Sequence, residues 1–193
     1  MTSRENGILI GVVTSLEDPE NLGRVKVRFP HLEDKQSDWA RLVSPMAGKE
    51  RGLFMRPEVD DEVLVVFEYG DPRRPHIVGA LWNSEDKLPP ELGEAKKNDI
   101  RSITSRSGHV IKLDDTDGEQ KIEIFAKDGK QKIVLDAAKN LIQVDCDSVS
   151  VEIKGSGDVK VTATKIEIEA SGDMTLSAGG NMTIKGAKVD INP

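Results

Sequence analysis

The stretch Lys165-Ile166-Glu167-Ile168-Glu169-Ala170-Ser171-Gly172-Asp173-Met174-Thr175-Leu176 contains the pattern that decides the fold. Two apolar residues stand on either side of one polar residue, and turn-forming residues separate this pair from the next. Successive side chains of a strand point to opposite faces, so Ile166 and Ile168 face one way while Glu167 and Glu169 face the other. The pattern therefore predicts short strands joined by tight turns.

The same repeat continues through the last third of the chain, from about Lys121 to Pro193, and from Val151 onward it returns about every seven or eight residues. Each repeat offers only two inward apolar residues, which is too little for a core built by one strand-turn unit. Repeats of this kind can bury their apolar residues by stacking on one another, either in a prism shared by several chains or in a single-chain solenoid. The shared prism is favoured, and periodicity alone does not exclude the solenoid.

The first part of the chain has a different pattern, with five predicted strands in about eighty residues. They are residues 7–14, 24–29, 39–43, 62–69 and 76–82. Five short strands and one long middle connection, residues 44–58, indicate a small closed barrel such as an OB-fold. Residues 84–98 are charged, contain Pro89-Pro90 and lack an apolar period, which is typical of a linker. The predicted organisation is all-β, with a five-stranded OB-fold barrel at 1–83, a linker at 84–98 and a β-helical spike at 99–193.

Composition narrows the classes of partner. Charged residues make up 32% of the chain, aromatic residues only 4%, and the formal net charge is −7. Nucleic-acid binding favours a basic surface and stacking rings, and binding to anionic lipid favours basic residues, so neither partner is expected. We expect no membrane span and no signal peptide, and hence a cytoplasmic start. The lone Cys146 alternates with Ile142 and Val144, which predicts a small buried apolar residue.

No motif for catalysis, cofactor binding or metal binding emerges from the sequence. His31, His76 and His109 lie on separate elements without metal-ligand spacing. Asp114-Asp115-Thr116-Asp117-Gly118 lacks the ligand positions of a calcium loop and predicts a hairpin turn. Glu167 and Glu169 share a strand face, where a solvated surface explains them better than a glycosidase pair. The chain is therefore not expected to be an enzyme.

Four segments carry a resemblance to one family. They are Gly70-Asp71-Pro72-Arg73-Arg74-Pro75-His76-Ile77-Val78-Gly79-Ala80-Leu81-Trp82-Asn83, residues 22–30, residues 56–63 and residues 103–109. Together they resemble the contractile-tail spike proteins, which include phage baseplate assembly protein V, the cell-puncturing spike of T-even phages and VgrG of type VI secretion. Asp60 stands where this family usually has glycine. The resemblance covers nearly the whole chain in the same order of barrel, linker and ladder.

The resemblance implies a homotrimer whose C-terminal strands intertwine into a three-sided β-helical needle. Its trimer core would consist of the apolar pairs Val151, Ile153, Val159, Val161, Ile166, Ile168, Met174, Leu176, Met182, Ile184, Val189 and Ile191. The chain shows neither a lysozyme-like insertion nor a large preceding hub domain, so a separate baseplate hub protein and the tail tube are the implied partners. A PAAR-repeat tip protein would contact Ile191, Asn192 and Pro193. After assembly in the cytoplasm the spike would be part of a virion or phage tail-like particle and would puncture the target cell envelope.

Two other classes of function remain as alternatives. OB barrels often bind oligonucleotides or carbohydrates, and a fold does not by itself determine a function. A carbohydrate- or oligonucleotide-binding module is therefore the second hypothesis, although acidity and the scarcity of aromatic residues count against it. A surface-acting enzyme on a β-solenoid is the third, and it would need a groove lined with acids or a lyase-type base. A polysaccharide binding or turnover assay would separate both from a spike.

Overall fold

The computed structural model describes residues 7–191, and its regular structure consists of strands and short 3-10 turns. The all-β prediction is confirmed. No helix among the described residues has the length and apolar character needed to cross a bilayer. The chain divides into two compact units, Met1–Val149 and Ser150–Pro193.

The first half of the larger unit contains eight strands, all short. In chain order they are β1 (Leu9–Ser15), β2 (Lys26–Phe29), β3 (Lys35–Gln36), β4 (Arg41–Leu42), β5 (Ala47–Gly48), β6 (Arg51–Gly52), β7 (Glu62–Phe67) and β8 (Pro75–Ala80). Six of them form one sheet in the order β3-β2-β1-β7-β8-β4, in which only the β4–β8 pair is parallel. β5 and β6 form a separate hairpin.

This first sheet curls back on itself. Val25 precedes β2 and Ala40 precedes β4, and the two residues exchange backbone hydrogen bonds of 3.0 and 2.8 Å. The edge strand β4 is thereby joined to β2. The enclosed core is aliphatic apart from one ring, as alternation predicted for Val25, Val27 and Phe29. Its members are Val13, Val25, Val27, Phe29, Ala40, Val63, Val65 and Ile77.

The sequence-based strands differ from these in extent and number. The predicted strand at 39–43 shrinks to Arg41–Leu42, and the loop after Pro30 contains the additional strand β3. The connection at 44–58, predicted as irregular, contains the β5–β6 hairpin, whose turn places Glu50 at a φ of 56°. Two-residue strands carry too few alternating positions for a period to be recognised.

A second sheet follows as an antiparallel meander. Its strands are β9 (Ile100–Thr104), β10 (Val110–Asp114), β11 (Lys121–Phe125), β12 (Gln131–Asp136) and β13 (Leu141–Cys146). Neighbours in sequence are neighbours in the sheet. The segment 84–98, predicted as a linker, contains 3-10 turns at Pro90–Leu92 and Ala95–Lys97, and the first of these packs against β9.

The described residues of the smaller unit contain no regular secondary structure. Its described residues, 150–191, form no strand pairing within the chain, and every one of them is exposed. A single-chain solenoid requires hydrogen-bonded rungs within the chain, which is not the arrangement seen here. The predicted strand-turn ladder is therefore not confirmed in residues 150–191 of the single chain and remains a prediction.

Candidate assembly surfaces

The second sheet has one largely aliphatic face, on which Arg101 at the β9 edge is the charged exception, and the strand register creates it. Ile111 of β10 pairs with Ile103 on one side and Ile124 on the other, and the row continues to Ile133 and Val144. One aliphatic residue from each of the five strands therefore lies in a single line. Alternation places all of these side chains on the same side of the sheet.

A second line runs parallel to the first across four of the strands. It joins Leu113, Ile122, Leu135 and Ile142 in register. The residues of both lines are 41–75% exposed, although aliphatic side chains of this size are usually buried. Contiguous exposed apolar surface of this kind marks an interaction site. We call these nine residues the aliphatic face.

The opposite face of the sheet is mixed: Glu123, Val110 and Val134 are buried on it, whereas Gln143 and Asp145 of β13 are exposed. Glu123 is only 3% exposed, and its carboxylate oxygens lie 2.5 Å from Lys112 Nζ and 2.6 Å from Lys132 Nζ. Burial by itself raises the pKa of Glu123, but the hydrogen bonds and charges of the two lysines outweigh it, so the pKa lies below its ordinary value. The carboxylate is ionised at neutral pH and joins three strands.

The Pro90–Leu92 turn adds a half-buried carboxylate to this face. Glu91 accepts hydrogen bonds from the hydroxyl groups of Ser102, at 3.0 Å, and Thr104, both on β9. Burial raises the pKa of Glu91, but the hydrogen bonds lower it by more, so the pKa of Glu91 lies below its ordinary value. This side of the sheet is therefore partly covered by its own chain, whereas the aliphatic face is open.

The sequence indicated part of this surface. The pairs Ile122/Ile124, Ile133/Leu135 and Ile142/Val144 alternate as predicted, but the predicted trimer core began only at Val151. Ile103, Ile111 and Leu113 were missed, because residues 99–113 were predicted as strands of the spike without an assignment of their inward and outward faces. Cys146 continues the alternation of Ile142 and Val144 and is half-buried.

The predicted trimer core lies entirely on the surface of the isolated chain. All twelve side chains, from Val151 to Ile191, are 48–83% exposed. Of the three residues predicted to contact a tip protein, Ile191 is exposed, whereas Asn192 and Pro193 lie outside the described residues. Both assignments remain predictions.

The three histidines stay apart. His31 lies in the turn after β2, His76 on β8 and His109 immediately before β10. Within residues 7–191 no group of three or more His, Cys, Asp or Glu side chains is placed to hold a metal ion. The candidate site is therefore a set of apolar surfaces.

Comparison with known proteins identifies the first domain. Residues 9–82 match the family described as the type VI secretion system/phage-baseplate injector OB domain. The chain is 32% identical over 126 residues to the type VI secretion system spike protein VgrG1a of Pseudomonas aeruginosa, covering 60% of this chain and 20% of the relative. It is 33% identical over 117 residues to VgrG5 of the same species, covering 56% of this chain and 15% of the relative.

A third relative extends the similarity along almost the whole chain. The actin cross-linking toxin VgrG1 of Vibrio cholerae is 26% identical over 196 residues, which is 97% of this chain and 17% of the relative. The chain thus spans a fifth or less of the length of these relatives. The resemblance to VgrG-like spike proteins is confirmed, and residues 9–82 form its OB-like domain.

Proposed function

We propose that this chain, whose residues 9–82 belong to the injector OB-domain family, is the structural central spike of a contractile injection apparatus. It would act as a homotrimer that punctures the target cell envelope when the apparatus contracts. The observation that carries the proposal is the aliphatic face, nine exposed aliphatic side chains that the register aligns across five strands. The alternating apolar pairs continue beyond that sheet to Ile191.

Other copies of the same chain are the simplest partners that could bury the aliphatic face. Burial of the exposed part of each aliphatic side chain stabilises an assembly by roughly 1 kcal/mol. A cyclic arrangement repeats the same contact for every copy and closes without leaving an open edge. In residues 150–191, strands from other copies would supply hydrogen-bond partners for the backbone groups that form no strand pairing within the chain.

Three copies fit the pattern better than two. Each repeat contributes only two apolar residues, Ile166 and Ile168 for example, which fill one side of a narrow three-sided prism. Intertwined strands would bury these residues along the axis and leave Glu167 and Glu169 in water. In this proposal the first sheet is a five-stranded OB barrel made of β1, β2, β4, β7 and β8, closed by the Val25–Ala40 bridge.

The proposed role is mechanical, without catalysis or a cofactor. A stiff needle transmits force, and interlocked strands unfold slowly because many contacts between chains must break together. The proposed partners are a baseplate hub protein and the tail tube at the barrel end, and a PAAR-repeat tip protein at Ile191–Pro193. Assembly in the cytoplasm would precede incorporation into a virion or tail-like particle.

The mass of the assembly in solution tests this function. We expect light scattering of the full chain to give a mass near three chains, and we expect that species to persist in SDS without boiling. A monomer would exclude the triple-stranded needle and would make a ligand-binding module the better explanation. A trimer that dissociates at once in SDS would exclude interlocked strands while leaving the aliphatic face as an interface.

A further inference from the structure

A wide trough lies on the first sheet and shares no lining residue with the aliphatic face. It has a volume of about 920 Å³ and is bounded by β4, the β5–β6 hairpin, and the loops β1–β2 and β7–β8. OB barrels bind ligands at this combination of strand and loops. The proposed spike function assigns no role to this trough.

The wall of the trough is apolar and exposed. Its side chains include Leu22, Val43, Met46, Phe54 and Met55, which are 55–71% exposed. Phe54 rests on Gly23, where the φ is +75° and a Cβ atom would lie 2.9 Å from the ring. Flexible methionines beside one ring form an adaptable surface of the kind that holds apolar side chains of a partner.

The rim of the trough is cationic in a chain whose net charge is −7. Five arginines line it, and three are paired: Arg24 with Asp18 at 2.6 Å, Arg73 with Asp71 at 2.8 Å and Arg74 with Glu68 at 3.0 Å. Within the described part of the chain, Arg41 and Arg51 form no ion pair. The surface therefore offers two uncompensated guanidinium groups beside an apolar wall.

We propose that this trough binds a short peptide segment of a partner chain, apolar along its length and carrying one or two carboxylates. The carboxylates complement Arg41 and Arg51, because guanidinium groups bind carboxylates in a bidentate manner. The apolar side chains of the segment cover Val43, Met46 and Phe54.

A polyanion fits this surface less well than a peptide. Three of the five arginines are already neutralised, so a nucleic acid would gain few phosphate contacts. Single-stranded nucleic acids and sugars use aromatic platforms, but the wall is mainly aliphatic. The wall contains the rings of Trp39 and Phe54, and the centroid of the Trp39 ring already lies 5.3 Å from Lys26 Nζ.

Short fluorescent peptides of equal length test the proposal on the full chain by anisotropy. The first alternates Leu or Met with Glu, the second replaces Glu by Lys, and the third replaces the apolar residues by Ser; an oligothymidylate is the fourth probe. We expect the first probe to bind about tenfold more tightly than the others. We expect R41E/R51E to weaken its binding by about tenfold or more. K130E, an exposed change in the β11–β12 turn, is the control and should bind normally.

Three results would overturn the proposal. Equal affinity for the Glu and Lys peptides, or an unchanged affinity of R41E/R51E for the Glu peptide, would show that the two arginines do not recognise carboxylates. Tighter binding of the oligothymidylate would assign the trough to nucleic acid. A change in the mass of the R41E/R51E assembly would assign it to a second copy of this chain. If the chain is monomeric but binds the peptide, the trimeric needle is refuted and peptide binding in the trough is supported, so the two proposals can be distinguished.

Discussion

Asp60 adopts a left-handed backbone conformation, with a φ of 76°, in the turn before β7. The family resemblance of the sequence implies glycine at this position, and glycine reaches this region without the steric cost that a Cβ atom imposes. The Asp60 backbone N–H donates a hydrogen bond of 2.9 Å to Val13 O, so the turn fixes the start of β7 against β1. The departure from glycine is thus tolerated at a local energetic cost.

Substitution of Asp60 measures that cost. We expect Asp60→Gly to raise the free energy of unfolding by about 0.5 kcal/mol, because relief of strain exceeds the added flexibility of the unfolded chain. Asp60→Val should lower it by about 1–2 kcal/mol, since a β-branched residue is least tolerated at positive φ. Urea unfolding of both variants provides the comparison. A glycine variant less stable than the original would contradict the argument.

Asp18 organises the loop between β1 and β2. Its side chain is 2% exposed and accepts backbone hydrogen bonds from Glu20, Leu22 and Arg24 as well as the Arg24 guanidinium at 2.6 Å. The guanidinium of Arg24, with these backbone donors, holds the pKa of Asp18 well below its usual range despite burial. Hydrogen bonds from Arg73 likewise lower the pKa of Asp71 to about 2.

These lowered pKa values determine how stability depends on pH. A carboxyl group whose pKa is lower in the folded state stabilises the fold above its unfolded pKa of about 4, and this contribution is lost as the pH falls toward the folded value. We therefore expect stability to be level from about pH 5 to 7 and to fall below about pH 4. D18N/D71N should be less stable at neutral pH and should show a shallower acid loss. Urea unfolding across this pH range measures both, and an equal acid loss in the variant would contradict it.

At the scale of elements, the stability of the second sheet depends on Glu123, which lies on the face opposite the aliphatic face. Glu123→Gln should destabilise the sheet by about 2 kcal/mol, because two lysines lose the carboxylate that compensates them. The triple variant K112M/E123L/K132M should recover most of this loss, since apolar side chains of similar size avoid burying charge. Urea unfolding of both proteins tests the argument. A triple variant as unstable as Glu123→Gln would show that the network is needed for packing and not only for charge balance.

The same elements show what the sequence could predict. Alternation along β2 was sufficient to predict the buried Val25 and Val27, and the regular pairs Ile122/Ile124 and Ile133/Leu135 predicted β11 and β12. The aliphatic face as a whole was not predictable, because it depends on the register that aligns Ile103 and Ile111 with them. Register is a long-range property that a local period does not contain. The trough was missed for the same reason, since residues far apart in sequence line it.

At the scale of the whole molecule, the assembly can be disrupted at a single position of the predicted axis. Ile168→Asp would place a carboxylate among apolar side chains from every copy, and several like charges cannot be buried together. We expect light scattering to give a monomeric mass and the SDS-resistant species to disappear. Thr175→Asp adds the same charge at an alternate, outward position between Met174 and Leu176, so it should leave the assembly intact. A heat-resistant trimer of the Ile168→Asp chain would refute the inward assignment, whereas loss of assembly in both variants would show that added charge alone, and not its position, prevents association.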